Sequence, residues 1–405
     1  MSSIKNFWIS DTETNPSIRE KCCGCGGCEI ICPKQAISMR YDKEGFLYPV
    51  VDIQTCINCG KCVKICPMLN TPEQDTYLYT YAGYSEAPDI IEKCASGGTC
   101  TAVSRYVIAC GGVAFGVRYQ KDYIKAEYSK AQTMEELDAF MTSKYVQSTK
   151  NQIFAEVRSE LNSDRLVVFV GCPCDISALI LFLGKEYKNL LTVELVCMGV
   201  TNYKVAESYV APRVKKWGAL TQLNSKGKKY GWFVPCLEEE YKNGKQLSNG
   251  FFGTYYGYGF TKFQRPSCSQ CPYRGEIGRG DIRTGDFWGI KRSDEFWNPK
   301  GVSCIFARTE KGNTVLNELK KRDFSLFRVS YEKASVNNNM HKSKNYTEEQ
   351  QKVRNRFVNA FFSKGLISAC RETATLEFWI KHFVPTCFAN TLKHIRHAIT
   401  DIKTK

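Results

Sequence analysis

Residues 22–33 read CCGCGGCEIICP, a stretch that carries five cysteines and ends in a proline. Four of these cysteines follow the spacing C-x2-C-x2-C-x3-C-P, and the same spacing returns in CINCGKCVKICP, residues 56–67. Three closely spaced thiolates can surround one cubane, while the fourth, beyond the turn, reaches a neighbouring cluster. Two such runs predict a compact ferredoxin-type module with two 4Fe-4S clusters.

The spacing predicts crossed ligation, in which each cluster takes three cysteines from one run and the last cysteine of the other. Zinc sites usually pair separated C-x2-C knuckles or include histidine, so zinc and a disulfide framework are both disfavoured. The predicted ligands of the first cluster are Cys22, Cys25, Cys28 and Cys66. The predicted ligands of the second cluster are Cys32, Cys56, Cys59 and Cys62. Cys23 is left without a role.

The composition agrees with a redox protein. The chain has 405 residues, of which 43% are hydrophobic and 24% are charged, enough for two or three domains with substantial cores. No secretory signal opens the sequence, and the 21 cysteines indicate metal or redox chemistry in a reducing compartment. We therefore expect a cytoplasmic protein. The longest apolar runs are shorter than the roughly 18 residues of a membrane span.

The formal net charge of +15 raises the question of a nucleic-acid partner. Clusters held by thiolates are anionic and would lower this charge. Residues 341–405 hold 12 Lys or Arg against 5 Asp or Glu, and all four histidines lie there too. Because no nucleic-acid-binding fingerprint is found, we expect no nucleic-acid partner. Chemistry in the rest of the chain must proceed without imidazole.

The pattern of apolar residues predicts a mixed α+β and α/β fold. Buried strands such as RLVVFVG and LLTVELVCMG alternate with helices such as DISALILFLG, which predicts an α/β sheet. A helix is expected from Thr99 to Cys110, and a β-hairpin around Asn243 and Gly244. The expected segments are a cluster module over 1–70, two parts of an α/β domain over 77–235 and 236–344, and a helical basic extension over 345–405.

Four further cysteines stand at the ends of predicted elements, beside glycine, proline or another cysteine. Two of them lie just past buried strands, where open α/β sheets gather ligands. A distant C-x2-C pair in CSQCP would complete a third cubane. The four cysteines are Cys174, Cys197, Cys268 and Cys271.

Five stretches resemble successive motifs of the beta subunits of coenzyme F-420 hydrogenases and dehydrogenases. The stretches are ASGGTCTA near residue 95, SKYVQS at 143, GCPCDISAL at 171, VCMG at 196 and RPSCSQCPYRGEIGRGDIRTGDFWG from 265. The resemblance spans roughly residues 80–340 and implies an FAD with a cubane cluster beside it. Cys172 stands where relatives usually carry a small residue, so Cys172 or Cys174 is the ligand, and we favour Cys174. Met198 stands where many relatives carry histidine.

Candidate contacts for this FAD follow from the same motifs. SGGT opens a predicted helix, whose backbone N–H groups can receive a phosphate or the pyrimidine edge of a flavin, although a simple glycine-rich cap is the alternative. Lys144 would stabilise a reduced flavin or deliver a proton, unless it is an ordinary solvated lysine. Asp281 and Asp286 are interpreted as turn-organising residues. The candidate contacts are Ser96, Gly97, Gly98, Thr99, Lys144, Gln147, Ser148 and Pro173, with Lys144 as the catalytic candidate.

Clusters move electrons singly, whereas a flavin holds one or two and transfers a hydride equivalent. The sequence therefore predicts an iron-sulfur flavoprotein oxidoreductase, with electrons passing from a ferredoxin-like carrier through the clusters to FAD and on to a small organic acceptor. One alternative is a subunit that exchanges electrons with a deazaflavin coenzyme. The other is a non-catalytic relay subunit of a larger complex.

An apolar stripe in the tail recurs every three or four residues and is flanked by basic side chains. Such a helix either packs against the body of the protein, which we favour, or rests on an anionic membrane. Pro385 interrupts it. The stripe consists of Ile380, Val384, Phe388, Leu392, Ile395 and Ile399.

Overall fold

The N-terminal part of the chain forms a small module of short helices and one antiparallel hairpin. Each of the two helices that carry the third cysteine of a run begins after a left-handed glycine, Gly26 with φ 70° and Gly60 with φ 74°. The repeated cysteine spacing is therefore matched by a repeated backbone conformation. The computed structural model describes residues 16–73, 76–338, 340, 345–384 and 388. The elements of the module are α1 (Pro16–Lys21), α2 (Gly27–Ile31), β1 (Ile37–Tyr41), β2 (Leu47–Val51) and α3 (Lys61–Lys64).

Two sheets are found in the described remainder of the chain. One is a nine-stranded mixed sheet, and the other is a three-stranded antiparallel sheet. The strands are β3 (Tyr79–Ser85), β4 (Val113–Tyr119), β5 (Ala126–Ala131), β6 (Ser148–Thr149), β7 (Val167–Gly171), β8 (Leu190–Leu195), β9 (Leu220–Gly227), β10 (Cys236–Tyr241), β11 (Gln246–Gly250), β12 (Ile282–Asp286), β13 (Ser303–Ala307) and β14 (Phe324–Arg328). The order across the large sheet is β14-β3-β13-β12-β8-β7-β4-β5-β6, and that across the small sheet is β11-β10-β9.

Helices connect these strands and continue to the C-terminal part. They are α4 (Pro88–Ile91), α5 (Thr99–Ala109), α6 (Met134–Asp138), α7 (Ile153–Asn162), α8 (Pro173–Leu183), α9 (Tyr203–Trp217), α10 (Tyr255–Lys262), α11 (Glu310–Lys320), α12 (Tyr331–Ser335), α13 (Glu348–Lys364), α14 (Leu366–Thr373) and α15 (Leu376–Phe383). Short 3-10 turns occupy Phe251–Gly253 and Pro266–Gln270.

Alternation along β7 explains why helices cover both faces of the large sheet. Phe169 packs with Phe154 of α7 on one face, whereas Val168 packs with Val103 of α5 on the other. Both faces of such a strand are apolar because the parallel strands β12, β8, β7 and β4 lie at the centre of the sheet. The predicted α/β sheet and the mixed fold class are confirmed.

Local predictions also agree with the structure. The helix expected from Thr99 to Cys110 is α5, and the expected hairpin joins β10 to β11. Gly244 adopts φ 84° in that turn, a backbone conformation that favours glycine.

The helical C-terminal extension packs against the module and against the region of α10. Arg354 of α13 forms a buried ion pair of 2.6 Å with Glu44, which lies between β1 and β2. Phe357 and Phe361 of the same helix pack on Phe263. The extension is therefore part of the folded body in its described residues.

Only part of the tail stripe lies in the described residues. Phe378 of α15 is buried, and its ring centroid lies 4.6 Å from that of Tyr258, so this helix packs against the body. Ile380 is 54% exposed and Phe388 is 56% exposed. Contact with a membrane therefore stays a prediction. Leu392, Ile395 and Ile399 lie outside the described residues. In the described part of the chain, no helix has the length and apolarity that crossing a bilayer requires.

One buried arginine joins the module to the body. The side chain of Arg265 is 1% exposed, and its Nε donates to the carbonyl of Cys22 at 2.7 Å. One terminal nitrogen donates to the carbonyl of Leu47 at 2.9 Å, and the other donates to Oε1 of Gln147 at 3.0 Å. The guanidinium also lies 4.1 Å from the ring centroid of Tyr48. Arg265 thus fixes the first cysteine run and the hairpin at once.

We expect Arg265→Lys to lower the free energy of unfolding by roughly 2–4 kcal/mol, because an ammonium cannot reproduce the three-way fork and leaves buried carbonyls without donors. Thermal unfolding of the anaerobically purified protein, together with limited proteolysis, measures this effect. Arg371→Lys at an exposed position of α14 is the matched control. An unchanged unfolding midpoint for Arg265→Lys would show that this arginine does not hold the module.

Candidate iron-sulfur and cofactor site

The carboxyl ends of the central parallel strands bring several predicted site residues together. β7 and β8 are adjacent, with Gly171 opposite Glu194, so the residues that follow them leave the same edge of the sheet. The Sγ atoms of Cys172 and Cys197 lie 3.8 Å apart at this edge. The strand register therefore places two cysteines from different loops in contact.

The C-x2-C pair approaches the same edge from the loop that follows α10. The backbone N–H of Arg265 donates to the carbonyl of Val200 at 2.9 Å, and the side chain of Arg274 donates to the carbonyl of Met198 at 2.9 Å. These bonds hold the loop against the segment after Cys197. The thiols of Cys268 and Cys271 both lie within electrostatic reach of Cys197.

Burial controls the protonation of this pair. It raises the pKa of Cys268 to about 11 and that of Cys271 to about 12. Such thiols are neutral at pH 7, whereas a metal ligand is a thiolate. Binding of a cluster here would therefore release protons.

Cys174 and Cys172 face different neighbours. Cys174, in the first turn of α8, lies within electrostatic reach of Cys23, whereas the Sγ of Cys172 lies 3.8 Å from that of Cys197. Cys23 also contacts Cys25 and lies within electrostatic reach of Cys271. The cysteine that the spacing left without a role is therefore located between the first run and the C-x2-C loop. The doublet Cys22-Cys23 was the only sequence signal for it.

The module brings its cysteines close to one another, and Cys62 of the predicted second set also lies within electrostatic reach of Cys28 of the first. The thiol of Cys28 lies within electrostatic reach of Cys22 and Cys66, and that of Cys25 within reach of Cys28 and Cys66. A surface hollow is lined by the cysteines of the other set together with nearby loop residues. That set consists of Cys32, Cys56, Cys59 and Cys62.

Among the described residues, no three His, Cys, Asp or Glu side chains converge closely enough to hold a single metal ion. A cubane places each thiolate on a different iron atom, so its ligands surround a larger volume than the ligands of one ion. The wider separation of the cysteines in each set is therefore that expected for a cluster and not for a zinc ion.

The glycine loop SGGT lies beside the end of β12. Ser303 of β13 is directly opposite Asp286, the last residue of β12, and its Oγ accepts from the N–H of Gly97 at 3.0 Å. The Oγ of Ser96 donates to the carbonyl of Val302 at 2.9 Å. These bonds anchor the loop to the sheet. The N–H of Gly97 is thus already used, whereas Gly98 with φ 86° caps α5.

Two lysines from β9 and the segment after it extend over the same region. Lys226 Nζ lies 2.6 Å from Oδ2 of Asp286, and Lys228 Nζ donates to the carbonyl of Ser96 at 2.7 Å. Lys226 also lies 5.2 Å from the ring centroid of Trp288. The interpretation of Asp286 as a turn-organising residue is wrong, because its carboxylate pairs with a strand of the other sheet. Sequence reasoning missed Lys226, since nothing local links it to a residue 60 positions away.

Asp281 also has a different role from the one expected. Its Oδ2 accepts from the N–H and the hydroxyl of Thr192, both at 2.8 Å, and its Oδ1 accepts from Thr309 at 2.7 Å. Asp281 therefore joins β8 to the start of α11 and does not organise the turn.

Buried polar atoms near the glycine loop lack protein partners. Oδ1 of Asp286, Nε1 of Trp232 and Oγ1 of Thr99 are buried and form no hydrogen bond within the described part of the chain. Trp232 stacks on Trp288 with centroids 5.4 Å apart. Buried polar groups without a protein partner are satisfied by ordered water or by a bound group. Together they offer a hydrogen-bond donor, an acceptor and a hydroxyl, which fit the mixed polar edge of a flavin.

A small cavity lies on the other side of Cys197. Its total empty volume is about 170 Å³, and Tyr273, Arg283 and Met340 are among the residues that line it. Ligand pockets usually measure roughly 300–1,000 Å³. This cavity therefore lacks the volume for FAD.

The remaining candidate flavin contacts differ in their surroundings. Gln147 is engaged at the module interface by Arg265 and by the carbonyl of Cys23, so its amide has partners there. Ser148 accepts from Lys150 Nζ at 3.2 Å. Pro173 is the first residue of α8.

Lys144 is partly buried and has no carboxylate partner among the described residues. Its Nζ donates to the carbonyls of Met141 and Thr142, at 2.5 and 3.3 Å. Burial lowers the pKa of Lys144 from 10.5 to about 7. A lysine with this pKa is partly protonated at neutral pH, which suits a proton donor.

The lowered pKa of Lys144 makes stability depend on pH. Between about pH 7 and 10 the unfolded state binds more protons than the folded state, so the free energy of unfolding rises with pH. We expect Lys144→Met to remove this rise, whose steepest slope is about 1.4 kcal/mol per pH unit. Denaturant unfolding across this range measures it. Lys188→Met, at an exposed lysine, should keep the rise, and an identical pH profile for both variants would contradict the prediction.

Three ranges of the chain match models of known protein families. Residues 164–328 match the family described as coenzyme F420 hydrogenase/dehydrogenase, in its model of the C terminus of the beta subunit. Residues 21–69 match one 4Fe-4S dicluster domain family, and residues 48–105 match another. No curated protein matches the chain.

Among solved structures, the chain is similar to one from the F420-reducing nickel-iron hydrogenase complex of Methanosarcina barkeri. The identity is 19% and the TM-score 0.47, with 71% of this chain and 95% of that chain covered. The family matches identify an iron-sulfur electron-transfer protein, and they coincide with the two cysteine-rich regions described above. The chain thus contains a region that matches a 4Fe-4S dicluster domain model and a later region that matches the C-terminal model of the coenzyme F420 hydrogenase/dehydrogenase beta subunit.

Proposed function

We propose that this protein is an iron-sulfur flavoprotein oxidoreductase that takes electrons from a one-electron carrier and delivers them through FAD to an organic acceptor. The observation that carries the proposal is the succession of cysteine sets. The set with Cys59 lines the surface hollow, and the set with Cys25 and Cys28 lies deeper in the module. Cys23 lies within electrostatic reach of Cys174 and of Cys271 in the C-x2-C loop. The dicluster matches support 4Fe-4S clusters at the two sets of the module.

The third cluster is proposed on Cys174, Cys197, Cys268 and Cys271. Cys174 is the preferred fourth ligand because its thiol lies within electrostatic reach of Cys23, which belongs to the module. A cluster held there is next to the first cluster of the module. Cys172 is the alternative, supported by its contact of 3.8 Å with Cys197.

The flavin is proposed between the SGGT loop and the end of β12. When bound, it supplies the conversion between single electrons and a hydride equivalent. Ser96 and Gly97 hold the loop, and the unpaired Asp286 Oδ1 would be available to accept a hydrogen bond from the bound group. Lys226 neutralises the Asp286 carboxylate beside it. Lys144 is the proposed source of the proton for the acceptor.

Anaerobic purification followed by iron, sulfide and flavin analysis tests the assignment of the cofactors. About twelve irons and one FAD per chain are expected, because each cubane holds four irons. About eight irons would remove the third cluster from the proposal. Absence of flavin would point to a relay subunit without its own substrate.

Two serine variants distinguish the possible fourth ligands. We expect Cys174→Ser to lose about four irons per chain and Cys172→Ser to keep them. Cys110→Ser, at an exposed cysteine that ends α5, is the matched control. Iron loss in Cys172→Ser alone would transfer the ligand role to Cys172.

A deazaflavin coenzyme is the second candidate partner at the flavin. The family description of residues 164–328, which names coenzyme F420, favours it. Reduction of the bound flavin by reduced coenzyme F420, without reduction by ferredoxin, would select this function. Reduction of the flavin by ferredoxin, without reduction by reduced coenzyme F420, would select the reductase that takes electrons from a one-electron carrier.

A further inference from the structure

Among the eight predicted cluster cysteines of the module, one is exposed to solvent. Cys59 is exposed and lines the surface hollow, whereas Cys25 and Cys28 of the other set are 8% and 7% exposed. Electron transfer falls off steeply with distance, so a protein donor must approach the module on the Cys59 side. The surface around Cys59 is therefore where a donor would dock.

Two apolar side chains project from this surface. Ile53 is 57% exposed and Ile57 is 58% exposed, and Ile57 also lines the hollow. Single exposed apolar side chains are common on protein surfaces, but Ile57 lies in the hollow itself, together with Cys59. The pair forms the apolar centre of the surface.

Lysines surround this apolar centre. Lys34 and Lys61 line the hollow, and Lys64 follows three residues after Lys61 on α3. All three are exposed, and none forms an ion pair with any other described residue. Asp52 is the acidic residue nearest in the chain to Ile53, and it already accepts hydrogen bonds from Gln54 and Thr55. The rim is net positive.

We propose that this surface, which we call the lysine face and define by Lys34, Ile53, Ile57, Lys61 and Lys64, binds an acidic one-electron carrier protein of the ferredoxin class. The inference rests on the proposed function and identifies the partner at the entry of the electron path. Positive charge around the hollow steers an acidic carrier, and the isoleucines make the close contact over Cys59. A face of this size fits a transient encounter.

The test uses the full-length, cluster-loaded protein and a pre-reduced acidic bacterial-type ferredoxin. In stopped-flow measurements at low ionic strength, the triple variant Lys34→Glu, Lys61→Glu and Lys64→Glu is expected to lower the second-order rate constant for cluster reduction by about tenfold or more. The difference should shrink in about 0.5 M salt, where the Debye length is only a few ångströms. Reduction by the methyl viologen radical cation, whose charge is opposite to that of the carrier, should not be slowed.

The control variant makes the same change in net charge elsewhere. It carries Glu at Lys188, Lys215 and Lys320, which are exposed on three other parts of the fold. Equal rate losses in both triple variants would overturn the lysine face, because overall charge would then explain the effect. Ile57→Glu is a second variant of the face, and an unchanged rate for it would also count against the proposal.

The outcomes separate this inference from the proposed function. If methyl viologen fails to reduce the clusters or the flavin of the unaltered protein, the proposed function fails. If viologen reduces them and ferredoxin does so equally well in the unaltered protein and the triple variant, only the lysine face fails. Iron content of each variant shows that the module is folded.

Discussion

The buried guanidinium of Arg265 is the interaction on which the rest of the arrangement depends. It bonds to the backbone beside the first cysteine run and to the hairpin of the module, while its own chain leads within three residues to Cys268. One side chain therefore sets the position of the first cysteine run relative to the C-x2-C loop. Gly24 is part of the same constraint, because a Cβ there would lie 2.8 Å from Arg265 and its φ is 71°.

The second constraint is topological. Parallel strands in one sheet end at the same edge, so loops that are far apart in the chain must meet there. Cys172 follows β7, Cys197 follows β8 and Asp286 ends β12, three strands that are adjacent in the sheet. The glycine loop joins them through Ser303 on the neighbouring antiparallel strand. The cysteine site and the polar site of the proposed flavin are consequently neighbours.

A buried ion pair lies next to each of these two sites. Lys150 pairs with Asp175 at 3.1 Å beside Cys174, and Lys226 pairs with Asp286 at 2.6 Å beside the glycine loop. Removing one partner of such a pair leaves an uncompensated buried charge, which is costly. A protein that retains both pairs next to predicted cofactor sites uses them to keep those sites polar and ordered.

The sequence alone determined the features that depend on local spacing: the paired cysteine runs, the strand and helix alternation, helix α5 and the hairpin at Gly244. Each needs only neighbours within a few residues, because backbone conformation and cluster loops are set locally. Tertiary structure alone decided the place of Cys23, the use of Gln147 at the module interface, and the pairing of Lys226 with Asp286. Those contacts join residues 60 or more positions apart, and only packing of the sheets and the module brings them together.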